Sequence, residues 1–240
     1  FDDEDTQDRT LAVDRTLAVS LGQLKPEEKR RYLELAIFRE DASIPLTTLA
    51  LYWGMSKVQT LQFCSKLYRK TALLQLMEGG AIRIHDVFRD YLLRQHPTAE
   101  GRTLHARLID TYGDLTALPD DYAWRNIAYH LNEADRADTL RDLLLDYVFL
   151  QAKLDATEVK ALITDCEYLA GDEAVRLVKS ALSMSGHVLS DHKDQLPYQL
   201  TGRLWTHRDQ PDIAPLWGIT HSITPLELLE KQAYPPMIQA

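Results

Sequence analysis

The residues of this chain best suited to chemistry lie in Arg83-Ile84-His85-Asp86-Val87-Phe88-Arg89-Asp90-Tyr91-Leu92, where a short strand gives way to a helix with His85 at the change-over. Such a junction points backbone N–H groups and any side-chain donor outward, a geometry suited to contacting an anion. Nothing else in the sequence completes a phosphate site. It has no G-x-x-x-x-G-K-[ST] segment, no G-x-G-x-x-G and no lysine beside a turn of glycines. If His85 touches a nucleotide, another polypeptide segment must hold that nucleotide.

Other chemistries find less support. His85-Asp86 has the look of the paired ligands of HD-type metal phosphohydrolases, but those need further histidines and an aspartate around one metal. His105 and His130 have no matching acidic motif, and His187, His192, His207 and His221 lack ligand spacing. They read as surface or packing histidines. Asp120-Asp121 and Asp135 read as caps and turns, not paired catalytic carboxylates. Trp124, Tyr129, Phe149, Trp205 and Trp217 read as core anchors. Cys64 and Cys166, each inside an apolar helical pattern, read as buried thiols and neither as a disulfide nor as a metal pair. The fragment itself is therefore expected to have no catalytic residues and no metal.

The elements that must position His85 follow from patterning. Asp8-Arg9-Thr10-Leu11-Ala12-Val13 repeats as Asp14-Arg15-Thr16-Leu17-Ala18-Val19, a duplication within a leading helix whose stripe is Leu11, Leu17, Ala18, Leu21 and Leu24. Pro26 with Glu27 and Glu28 signals the start of a helix running to about Phe38. Ser43-Ile44-Pro45 reads as extended, since a residue before proline is pushed out of the helical region. Two helices follow, Leu46 to Tyr52 and Ser56 to Lys70, turning through Trp53-Gly54-Met55. Ser56 and Gln59 form a capping box, and Val58, Leu61, Phe63, Leu67 and Tyr68 are expected to supply the second helix's buried side. Leu73 to Ile84 with Gly79-Gly80 at the turn predicts a hairpin. Helix, strand, helix-turn-helix, hairpin, helix is the order of a winged-helix domain.

Beyond Thr103 strand signals vanish. Helices are predicted over Ala123 to Ala134, Asp138 to Leu145, Tyr147 to Leu154, Thr157 to Ala170, Glu173 to Ser190, Asp194 to Trp205 and Ala214 to Ser222. Short connections make them antiparallel hairpins, too irregular for a strict repeat. The fold class expected is mainly α: a winged helix with a small β-hairpin wing, then an α-helical array. The expected divisions are a winged-helix domain over 1–96 with its leading helix, a helical domain over 97–224, and a linker over 225–240, marked by Pro235-Pro236, towards a further domain.

The 240 residues are 45% hydrophobic and 26% charged, ordinary for a globular protein. No apolar run nears the roughly 20 residues that span a bilayer. No leader opens the chain, so a cytoplasmic protein without a membrane partner is expected. The net charge of −9 is unevenly spread. Residues 1–22 hold two Lys and Arg against six Asp and Glu, 23–96 twelve against eight, and 97–240 thirteen against twenty-two. A mildly basic unit between acidic neighbours suits contact with an acidic domain as well as with nucleic acid. A DNA-binding winged helix with a helical effector-sensing domain is the alternative function. It would read bases with Ser56, Lys57, Gln59, Thr60 and Gln62 and meet phosphates with Lys66, Arg69 and Lys70. The modest charge of the unit and the lack of an arginine in the helix's first two turns make nucleic acid the lesser expectation.

Arg83-Ile84-His85-Asp86, after a wing hairpin and opening a helix, resembles the MHD-type motif of NB-ARC signalling ATPases. These are the STAND class, related to apoptotic protease-activating factor and plant resistance proteins. Leu33-Glu34-Leu35-Ala36-Ile37-Phe38-Arg39-Glu40-Asp41 and Leu49-Ala50-Leu51-Tyr52-Trp53 are similar to the bacterial branch. Ala128-Tyr129-His130-Leu131-Asn132-Glu133-Ala134 and Leu143 to Leu154 resemble the helical domain that follows, usually ahead of WD-repeat propellers. Ile84 replaces the motif's frequent methionine, and the nucleotide-binding domain with its Walker segments is not in these residues.

The resemblance implies a regulatory and scaffold fragment whose winged helix closes over ADP held by an upstream nucleotide-binding domain, while the helical arm leads to a C-terminal sensor. His85 would hydrogen-bond the β-phosphate, and Asp86 would cap the following helix and fix the approach of His85. A hydrogen bond to a charged group is worth roughly 1.5–3 kcal/mol, enough to shift a closed-to-open ratio about 10- to 150-fold. ADP and ATP would be bound only through the absent domain, and the activated parent could form a homo-oligomer. The plainer alternative is a histidine that packs at a strand end beside an ordinary capping aspartate.

Overall fold

A computed structural model describes residues 15, 17–71, 73–95 and 98–223, apart from the side chains of 70, 86, 87, 98 and 99. The acidic opening segment, the first hexapeptide copy and the 225–240 tail lie outside the described residues. The chain is mainly helical and divides into two compact units, residues 1–113 and 114–240.

The first unit follows the winged-helix order. After a helical stretch at 17–22 come α1 (Pro26–Leu33) and a 3-10 turn (Glu34–Ile37). Next are β1 (Ile44–Pro45), α2 (Leu46–Trp53), α3 (Lys57–Thr71), β2 (Gln75–Met77) and β3 (Ala81–Arg83). Then follow α4 (Asp86–Gln95) and α5 (Thr98–Tyr112). The helix expected to run from Pro26 to Phe38 thus tightens into 3-10 geometry for its last turn, a common helix ending. Pro26 opens α1, and Glu28 reaches back to the Lys25 N–H at 3.1 Å. Gly54 ends α2 at φ 62, and its N–H and that of Met55 satisfy the last carbonyls. Ser56 and Gln59 make the capping box reciprocally, at 3.0 and 3.2 Å. The antiparallel sheet has the order β1-β3-β2, with Ile44 opposite Ile82 and Gln75 opposite Arg83. Gly79 and Gly80, at φ 81 and 78, make the turn that side-chain-bearing residues resist.

The core of this unit gathers Leu17, Leu21, Tyr32, Leu35, Phe38, Ile44, Leu49, Phe63, Leu67 and Ile82. The Tyr32 hydroxyl donates to Leu73 O at 3.0 Å within it. One expectation is corrected. Phe63 and Leu67 are buried, but Val58, Leu61 and Tyr68 are 65%, 46% and 50% exposed. Helix α3 has two apolar stripes, and the one carrying Phe63, Cys64 and Leu67 faces the core. Helix α5 was not foreseen as a separate element; it packs on α2 and on the 3-10 turn within the first unit.

In the second unit come α6 (Asp121–Glu133), α7 (Ala137–Leu144), α8 (Tyr147–Ala156) and α9 (Val159–Cys166). They are followed by α10 (Glu173–Asp191), α11 (Leu196–Arg203) and α12 (Ala214–Ile223). Asp120, Asp146 and Asp172 each accept from a first-turn N–H, and Asp135 turns the chain at φ 60. Where Thr157 to Ala170 and Asp194 to Trp205 were expected as single helices, short 3-10 turns replace part of each. The core is a contiguous set that includes Leu150, Leu154, Leu162, Val178, Leu182, Leu189, Leu196, Leu200 and Leu216. Phe149 and Trp124 are buried beside one another as anchors. Trp205 is not: it is 46% exposed, with the Arg208 guanidinium 4.5 Å above its ring.

Candidate functional site at the β3–α4 junction

Burial alternates along the end of β3. Ile82 and Ile84 are buried, Arg83 is half-buried and His85 exposed. The period of two in an extended chain sends the isoleucines to the core and carries Arg83 and His85 to the other side. The β-branched pair thereby anchors the junction that presents the two polar residues.

His85 occupies the N-cap position of α4. Its carbonyl accepts from the N–H groups of Phe88 and Arg89 at 2.9 and 3.0 Å. Its backbone thus starts the helix while the imidazole stands beside the positive end of the helix dipole. The Phe88 ring lies edge-on to it, with centroids 6.1 Å apart. Asp86 is the first residue of α4, one place beyond the cap, and its side chain lies outside the described residues.

Helix α4 is fastened from the other side by Arg89, whose Nε donates to Phe38 O at 2.7 Å. His105 on α5 is buried, and burial, reinforced by the nearby Arg89 charge, lowers its pKa to about 4. It is therefore neutral at pH 7. Arg83, opposite Gln75, has its Nε buried without a hydrogen-bond partner.

Sequence reasoning missed two buried ionic clusters. In the first unit Glu34, inside the apolar run Leu33 to Phe38, is buried and receives Arg107 at 2.8 Å. Arg30 stands 3.8 Å away, and the Arg107 guanidinium lies 4.4 Å from the centre of the Tyr52 ring. In the second unit Lys153 is wholly buried, pairs with Asp165 and donates to Trp124 O at 2.6 Å. Nearby, the Tyr122 hydroxyl and His130 Nε2 are hydrogen-bonded at 2.9 Å in the interior. A charged residue breaking an apolar helical run was the available signal for both clusters. The two cysteines are buried as expected, and burial pushes each thiol up to about 12.

The side chains considered for DNA are scattered in role. Thr60 is wholly buried, Ser56 and Gln59 are engaged in the capping box, and Lys66 pairs with Glu28. Lys57, Gln62 and Arg69 are exposed, beside Val58, Leu61 and Tyr68; the Lys70 side chain lies outside the described residues. Among the described residues, no three His, Cys, Asp or Glu side chains gather to hold a metal, and no helix is long and apolar enough to cross a membrane.

Residues 102–197 match the family model of the APAF-1 helical domain. Human apoptotic protease-activating factor 1 is 22% identical over 194 residues, covering 74% of this chain and 16% of the human protein. The mouse protein of the same name is 22% identical over 154 residues, covering 60% of this chain and 12% of its own length. The chain thus spans about a sixth or less of the curated relatives it matches.

Proposed function

Taking the APAF-1-like helical domain as the premise, we propose that this chain is the regulatory fragment of a STAND-type signal-transduction ATPase. Its first unit closes as a winged helix over ADP held by an upstream nucleotide-binding domain. Its helical array connects that switch to a downstream sensor, a WD-repeat propeller being the first candidate. The fragment supplies no catalytic group. ATP binding and hydrolysis belong to the parent, which works in the cytoplasm and oligomerises once ADP is lost.

The observation that carries the reading is the solvent-facing imidazole of His85 at the N-terminus of α4, held there by backbone hydrogen bonds and by buried Ile82 and Ile84. A donor at that position reaches an oxyanion without any change in the fold, and the helix dipole adds to its attraction. The bond forms only when the unit is closed, so it weights the closed state by its own strength. Asp86, one residue on, supports the approach of His85.

The experiment is nucleotide retention by the parent polypeptide. His85→Ala should release ADP about 10- to 150-fold faster and raise the open or oligomeric fraction; unchanged retention would sink the assignment. The 240-residue chain alone should neither turn over ATP nor hold ADP. DNA binding by α3 ranks second, because Val58, Leu61 and Tyr68 share its exposed face and four of its assigned contacts, Ser56, Gln59, Thr60 and Lys66, are buried or committed elsewhere.

A further inference from the structure

We propose that Arg83 is a second binding residue for the diphosphate of the nucleoside diphosphate that His85 meets, an inference that rests on the His85 reading above. Arg83 lies two residues before His85 on the outward side of β3. Two residues of extended chain advance about 6.6 Å. The long, forked guanidinium therefore reaches phosphate oxygens adjoining the one His85 contacts, and its planar donors suit them.

Among the described residues the Nε atoms of Arg83 and Arg107 are both buried without a hydrogen-bond partner, but Arg107 is compensated by its pair with Glu34. Among the described residues, Arg30, Arg31, Arg107, Arg125, Arg141 and Arg208 all pair with carboxylates. Arg83 pairs with none, although its Nε is withdrawn from water. A half-buried cation with an unmet donor is a cost that native structures rarely carry without a partner. The partner that fits the face it shares with His85 is an anion brought by another domain. Stability given up in this way is a cost that residues kept for binding carry.

Two measurements decide it. In the parent polypeptide, Arg83→Gln should speed ADP release about 10-fold or more, with Arg83→Lys between it and wild type because the ammonium keeps the charge but loses the fork. In the 240-residue chain without nucleotide, Arg83→Gln should leave Tm unchanged or raise it. Normal ADP release by Arg83→Gln alongside fast release by His85→Ala would overturn the role of Arg83 and leave the His85 reading standing. If neither variant releases ADP faster, both fail. A fall of several degrees in the Tm of the Arg83→Gln chain would make Arg83 a structural residue and overturn the inference.

Discussion

The helical array and the β3–α4 junction treat charge in opposite ways. In the array Lys153 is fully buried yet finds Asp165 and a backbone carbonyl, and Tyr122 finds His130. At the junction His85 is exposed and Arg83 has its Nε buried without a partner. In the array the Lys153 and Tyr122 side chains meet partners within their own unit, whereas at the junction the Arg83 Nε meets none among the described residues. On the function proposed above, substitutions in the first arrangement should act on stability and those in the second on nucleotide retention.

The largest effect is expected at Asp165. Asp165→Ala leaves the Lys153 ammonium buried without its counter-charge, which costs about 3–5 kcal/mol. Denaturant titration should show a transition of the second unit at much lower denaturant, and Lys153→Met in the same chain should recover a large part of the loss. A midpoint unmoved by Asp165→Ala would contradict the burial of the pair.

His105 comes next and acts through pH. Its folded pKa of about 4 lies below the ordinary 6.5, so below pH 6.5 the unfolded chain binds the extra proton. The stability it contributes is fully present above pH 6.5 and is lost as pH falls towards 4, by about 3 kcal/mol over that window. His105→Phe should flatten this part of the stability profile; a profile as steep as wild type would remove His105 as its source.

Smaller is Tyr122→Phe, which deletes the bond to His130 and should cost about 1–2 kcal/mol in denaturant unfolding. Smallest is His85→Ala in the 240-residue chain, within about 0.5 kcal/mol because the side chain is exposed. A large destabilisation there would mean that the junction is as self-contained as the array, erasing the contrast.

Much of this was legible in the sequence because local rules acted locally. Ser56 with Gln59, Gly79-Gly80, Pro26 and Asp120 each placed an element boundary by its own backbone chemistry. The face of α3 was not legible. Val58, Leu61 and Tyr68 follow helical spacing as well as Phe63 and Leu67 do, and periodicity identifies a stripe without identifying what covers it. The pairing of Lys153 with Asp165 was hidden because it joins two consecutive helices, and Trp205 because an apolar side chain can equally be covered by a neighbouring arginine. His85 could be placed at a strand-to-helix junction because the hairpin and helix signals meet there, whereas Arg83 stood out only once its Nε was seen to be without a partner.

The N-cap seat of His85 carries one more consequence. Asparagine, aspartate and serine start helices best, because a short side-chain oxygen accepts an early N–H. Histidine lies outside that preferred set, while its carbonyl still does the backbone's work. A stability selection on the isolated chain should therefore drift away from histidine at position 85 towards asparagine or serine, and a selection for signalling should drive it back. On the role proposed for His85, the residue that a selection leaves at position 85 reports which of the two pressures acted.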